Sequence, residues 1–154
     1  RCRTSSARCI VVPTQTRSAE GASHTMAEDR PTGSASVSPW NAVYEEQRPW
    51  GGFRQYTHNA ISTVKIITVL PGQRLSLQSH ERRDELWIAL TDGLRVTLGD
   101  ETRTVAQWEE LFVPRGTRHR MEGVGLQSAR WLEISFGEFD ENDITRYEDD
   151  FGRA

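Results

Sequence analysis

Between residues 62 and 136 the chain breaks into short runs of alternating apolar and polar side chains, most of them closed by glycine, proline or aspartate. STVKIITVL (62–70) stops at Pro71-Gly72, and RLSLQSH (74–80) follows it. ELWIALT (85–91) and LRVTL (94–98) flank Asp92-Gly93, and Gly99-Asp100 separates LRVTL from ETRTVAQW (101–108). A period of two places residues i and i+2 on one face, which predicts strands. Asp-Gly suits a type I′ turn and Gly-Asp a type II′ turn, so these three runs are expected to meander antiparallel. ELFV (110–113), a strand near RHRME (118–122) and ARWLEISF (129–136) complete the pattern. About eight short strands without a long helical period imply an all-β sandwich or barrel, and closing the sheet removes exposed edges. Only the acidic DENDITRYEDD (140–150) is expected as a short C-terminal helix or tail.

Upstream of Trp40 the pattern disappears. Residues 1–39 are rich in Ser, Thr, Arg and Ala with few large apolar side chains, which predicts a disordered leader followed by one domain over 40–154. Residues 1–25 carry arginines and a single acid, Glu20, as a transit peptide does, but without an amphipathic repeat. The preferred expectation is that Met26 is the natural start and that the upstream residues extend the reading frame too far. Cys2 and Cys9 both fall in this leader, which excludes a core disulfide framework and a thiolate metal site. The chain's 154 residues, with 36% hydrophobic and 27% charged positions, fit one modest core. No apolar stretch approaches the roughly 18 to 20 residues of a membrane helix, and a net charge of -3 argues against nucleic acid.

Candidate chemistry concentrates in LSLQSHERRDELW (75–87). On a strand Gln78 and His80 share a face, and Glu85 opens the next run after a polar connection, so one hairpin is expected to present all three. His119, after the Pro114-x-Gly116 turn, offers a fourth donor. Nitrogen and oxygen donors of this kind suit one divalent ion, zinc first, with manganese, cobalt or iron as competitors. His80 and His119 as satisfied core histidines, with Glu85 paired to an arginine, is the blander reading. His24 and His58 have no partner at ligand spacing. Trp50, Trp87, Trp108 and Trp131 are expected to pack in or beside the core. Glu133, in WLEIS, is either an inward acid/base group or an outward strand residue.

Gly72, Gln78-x-His80-x4-Glu85 and Pro114-x-Gly116-x2-His119 resemble the paired metal motifs of the cupin superfamily, with glutamine in place of the first histidine. RPWG (48–51), VKIITVLPGQRLSLQSH (64–80), RDELW (83–87), VPRGTRHRMEG (113–123) and DITRYEDDFGR (143–153) narrow the resemblance to the cupin domain of type II mannose-6-phosphate isomerases. The resemblance implies a jelly-roll-like barrel and a metal-dependent isomerase acting on mannose 6-phosphate and fructose 6-phosphate through an enediol. Such a site needs a Lewis acid, an acid/base group and cations for phosphate. Lys65 is the one lysine among the 19 Lys and Arg, and it matches a family position. Lys65, Arg146 and Glu133 are therefore expected as catalytic groups, and Arg83 and Arg120 as substrate contacts.

The chain also departs from the family. Glu81 and Arg82 stand where further histidines are usual, and Gly123 stands where Asn is frequent. A carboxylate at the rim disfavours phosphate, which keeps open a non-catalytic sugar-phosphate sensor or another metal-dependent cupin enzyme. The expected partner is a small phosphorylated sugar and the expected location the cytoplasm, with a homodimer left open.

Overall fold

The computed structural model describes residues 43–153; the leader, with Cys2, Cys9, His24 and Met26, lies outside the described residues. The chain divides into a unit ending at His58 and a unit running from Asn59. Within the first, β1 (Tyr44–Arg48) and β2 (Gly51–Gln55) form an antiparallel hairpin turning at Pro49-Trp50. Trp50 is exposed there, contrary to the expected packing role.

The second unit is built wholly from strands: β3 (Ser62–Val69), β4 (Leu77–Ser79), β5 (Asp84–Ala89), β6 (Leu94–Leu98), β7 (Glu101–Val105), β8 (Glu110–Val113), β9 (His119–Gly123), β10 (Ala129–Phe136) and β11 (Thr145–Glu148). They form a four-stranded sheet, β3-β10-β5-β8, and a five-stranded sheet, β11-β4-β9-β6-β7. All named pairings are antiparallel. This is the expected all-β, jelly-roll-like fold. Strand alternation sends Ile67, Trp131, Ala89, Trp87 and Leu111 from one sheet, and Val96 and Met121 from the other, into a shared apolar core. Among the described residues no helix is long and apolar enough to cross a membrane.

Three local expectations are corrected. Gly99 does close a β6–β7 hairpin, and its φ of 60° meets the positive value a type II′ turn requires. Asp92-Gly93 instead carries the chain from β5 in one sheet to β6 in the other, so the three-strand meander does not form. A Cβ at Gly93 would come within 3.2 Å of the Gly125 Cα, so the corner is packed against a second glycine. In the tail, 145–148 form strand β11 rather than a helix. Pairing with β4, and a 3.0 Å hydrogen bond between the Ser79 and Tyr147 hydroxyls, outweigh the weak local β-propensity there. Trp108, expected in the core, is exposed at a turn with φ 69°.

Candidate metal centre

The ligand candidates arrive from opposite sheets, not from one hairpin. β4 belongs to the five-stranded sheet and β5 to the four-stranded sheet, and the connection 80–83 crosses between them. His80 at the end of β4, Glu85 on β5 and His119 on β9 face one another across the interior. Their ligand atoms lie within 4.8 Å of one another, and each side chain is about 2% exposed. His80 Nε2 stands 3.4 Å from Glu85 Oε1, and His119 Nε2 stands 3.8 Å from Glu85 Oε2.

Backbone carbonyls set the tautomers. His80 Nδ1 lies 2.5 Å from the Asp143 carbonyl and His119 Nδ1 lies 2.9 Å from that of Thr117. A carbonyl only accepts, so each Nδ1 carries the hydrogen and each Nε2 turns a lone pair inward. Burial lowers both imidazole pKa values from 6.5, although Glu85 opposes the shift. Neutral imidazoles with inward lone pairs are what a divalent ion takes. His119 Nε2 is buried without a hydrogen-bond partner, and an orphaned acceptor at the centre of a His/Glu/His cluster fits a metal ion.

Gln78 adjoins this cluster, directly opposite His119 in the β4–β9 register. Its Oε1 accepts from Ser76 Oγ at 2.7 Å, and its amide nitrogen lies 3.4 Å from His80 Nε2. The structure thus brings Gln78 to the site with its nitrogen, not its oxygen, facing the cluster.

The other expected residues separate by strand face. In the register across β3, β10 and β5, Lys65 lies beside Glu133 and Glu133 beside Trp87. Directly opposed residues share a side, so Lys65 and Glu133 face the interior. Glu133 is 7% exposed, and burial, with the nearby Glu85 charge, pushes its carboxyl up to about 7. Trp87 Nε1 donates to Glu85 Oε2 at 3.0 Å, while its ring stands edge-on to His119. Lys65 Nζ and the Arg83 guanidinium lie 3.8 and 4.6 Å from the centre of the Phe139 ring. Lys65 Nζ also pairs with the exposed Glu141 at 3.1 Å. Arg146 opposes Gln78 across β11 and β4, with its Nε buried and unpartnered. Arg120 is not brought in. It follows His119 on β9, so it points to the opposite face, where Nη2 pairs with Glu148 at 2.5 Å. Glu81 and Arg82 are exposed.

Two groups that the sequence reading missed hold the site together. Burial works against ionisation of Asp143, but amide donation from Glu81 and Arg82 at 3.0 Å each keeps its carboxyl below the usual range. Asp143 thereby fixes the 80–83 corner with its side chain and His80 with its carbonyl. The second is Phe139, which gathers two cations over one ring. No local pattern marks either residue, because their partners lie 56 to 74 positions upstream.

Comparison with known proteins bears on the family and the fold. Residues 36–149 match the family described as mannose-6-phosphate isomerase, C-terminal. The chain is 37% identical over 108 residues to xanthan biosynthesis protein XanB of Xanthomonas campestris pv. campestris (strain B100), covering 70% of this chain and 23% of that protein. It is 34% identical over 111 residues to mannose-1-phosphate guanylyltransferase ManC of Salmonella typhimurium (strain LT2), covering 71% of this chain and 23% of the relative. The chain therefore spans under a quarter of the length of these relatives. A solved protein with a double-stranded β-helix domain, from Klebsiella pneumoniae, superposes with a TM-score of 0.51. That superposition covers 59% of this chain and 77% of the other at 14% identity, a likeness of fold alone.

Proposed function

The chain belongs to the mannose-6-phosphate isomerase C-terminal family, and from that premise we propose that its interior site interconverts mannose 6-phosphate and fructose 6-phosphate. The observation that carries this reading is the convergence of His80, Glu85 and His119, whose Nε2 has no hydrogen-bond partner, with the buried Glu133 and the half-buried Lys65 on the inner faces of two sheets. A divalent ion held by these three side chains, with Gln78 beside them and zinc as the first choice, would supply Lewis-acid polarisation of the sugar carbonyl.

The chain's own residues account for the rest. Glu133, in its carboxylate form, takes the proton from C2 of the aldose while the C1 oxygen takes one from a water molecule, giving an enediol and hydroxide. The same carboxyl then returns its proton to C1 as the C2 hydroxyl gives its own to that hydroxide, which restores the water, and the ketose results. Without metal that carboxyl is raised to about 7, by burial first and by the Glu85 charge second, which brings its protonation change near neutral pH. Lys65 and Arg83 over Phe139, with Arg146 beside Gln78, provide positive charge for the phosphate and for developing enediolate charge. Arg120 has no part in this reading. The proposal takes residues 40–154 as the working domain, a small phosphorylated sugar as partner and the cytoplasm as location.

One observation favours a second reading, a sugar-phosphate sensor. Glu141 already occupies Lys65 Nζ, and a phosphate must compete for it. A coupled isomerase assay with several divalent ions separates the two. The isomerase reading expects turnover with at least one metal, and a loss on the order of a hundredfold in Lys65→Met and Glu133→Gln with metal retained. Metal-loaded protein that binds the sugar phosphate but passes its C2 proton neither to solvent nor to C1 establishes the sensor instead.

A further inference from the structure

Arg83 is 5% exposed, and every nitrogen of its guanidinium is engaged. Nε donates to Glu85 Oε1 at 2.9 Å, and Nη2 lies 2.9 Å from His80 Nε2. Nη1 donates to the carbonyls of Asp140 and Asp143 at 3.0 and 3.2 Å. Two of its donors thus end on ligand atoms of the candidate metal centre. A neutral imidazole has a single lone pair on Nε2, so His80 bonds either to Arg83 or to a metal ion, never to both. Charge points the same way. Glu85 is a buried carboxylate that needs a cation, and the Arg83 guanidinium pairs with it at 2.9 Å. A divalent ion on the same carboxylate takes over the role and repels the guanidinium at short range.

We propose that Arg83 is the resident cation of the metal-free site and sets its metal affinity: metal entry is a cation exchange that removes Arg83 Nη2 from His80. The inference rests on the metal reading above. The carbonyls of Asp140 and Asp143, with the Phe139 ring, grip the guanidinium by its other edge and keep it nearby after the exchange. The freed Nη2 then becomes a donor for an anion, so the site gains phosphate affinity only once it holds metal.

Zinc titration of the chelator-treated protein, followed through intrinsic tryptophan fluorescence, to which Trp87 contributes from beside the site, tests the exchange. Arg83→Met is expected to bind Zn2+ at least about tenfold more tightly than wild type, because the competing charge is gone. Its metal-free form is expected to melt earlier, so zinc raises its melting temperature by more. Arg83→Lys, with charge but no fork, is expected to fall between. Independently of any variant, the hydrogen-bonded guanidinium NMR signal of Arg83 in wild type is expected to shift on addition of Zn2+, which keeps the test decisive if Arg83→Met does not fold. A merely structural Arg83 would leave zinc affinity equal or weaker in the variants and its own signal unmoved, and that result overturns the exchange while the metal centre stands. Failure of wild type and both variants to bind Zn2+ at all overturns the metal reading, and the exchange with it.

Discussion

The interior of the strand unit has two halves made by the same strands. β5 sends Ala89 and Trp87 to one end and Glu85 to the other; β9 sends Met121 and then His119; β10 sends Trp131 and then Glu133. A step of two residues along each strand leads from the apolar core to Glu85, His119 and Glu133, and the 80–83 connection adds His80 and Arg83, all five 7% exposed or less. In the apolar half each side chain gains from burial alone. In the polar half each burial is unfavourable unless a partner answers it, and the partners come from far along the chain: Thr117 and Asp143 for the histidines, Arg83 and Trp87 for Glu85. Conversion at the same level on both sheets makes the polar half the candidate site and the apolar half the scaffold that aims it.

The contrast predicts separable responses. The largest concerns the scaffold. Trp131 is fully buried against Trp87, with ring centres 5.9 Å apart. Trp131→Ala is expected to cost about 3–5 kcal/mol in chemical denaturation, with or without metal. A cost that metal restores would place Trp131 in the site and break the division.

A smaller effect comes from pH. Burial lowers His80 and His119 below 6.5 in the folded protein. Their contribution to stability is therefore complete above that value and is lost as pH falls through the lowered folded values. Glu133 runs the other way. Raised from 4.5 to about 7, it contributes fully below 4.5 and loses that contribution as pH rises through 7. Metal-free wild type is thus a balance of opposed titrations between those limits. Glu133→Gln removes one arm, so its urea midpoint is expected to fall more steeply than that of wild type from pH 7 to pH 5. Identical pH profiles would show that Glu133 does not titrate in this window.

The two halves were unequally legible in the sequence. Period-two alternation exposes most strands of the scaffold, and Trp87 and Trp131 follow from it. His80, Glu85 and His119 were legible as residue types at motif spacing and Lys65 as a strand position, whereas the face of Glu133 stayed open between inward and outward. The sheet crossings at 80–83 and 92–93 were not, because a tight turn looks alike whether its strands pair or part. β11 was hidden for a related reason: its acidic run becomes a strand only against β4. The face of Arg120 was readable, since neighbours on a strand point oppositely and His119 was already assigned inward. The grip of Asp143 on the 80–83 corner and that of Arg83 on His80 are properties of the folded chain, invisible in any local pattern.

Metal content per chain bears most directly on the central claim that His80, Glu85 and His119 form a metal centre. Wild type and His80→Ala/His119→Ala, loaded with zinc, desalted and measured by elemental analysis, are expected to hold about one ion and almost none, with the β-sheet circular dichroism of both alike. Stoichiometric zinc in the double variant, or none in wild type, would contradict the account.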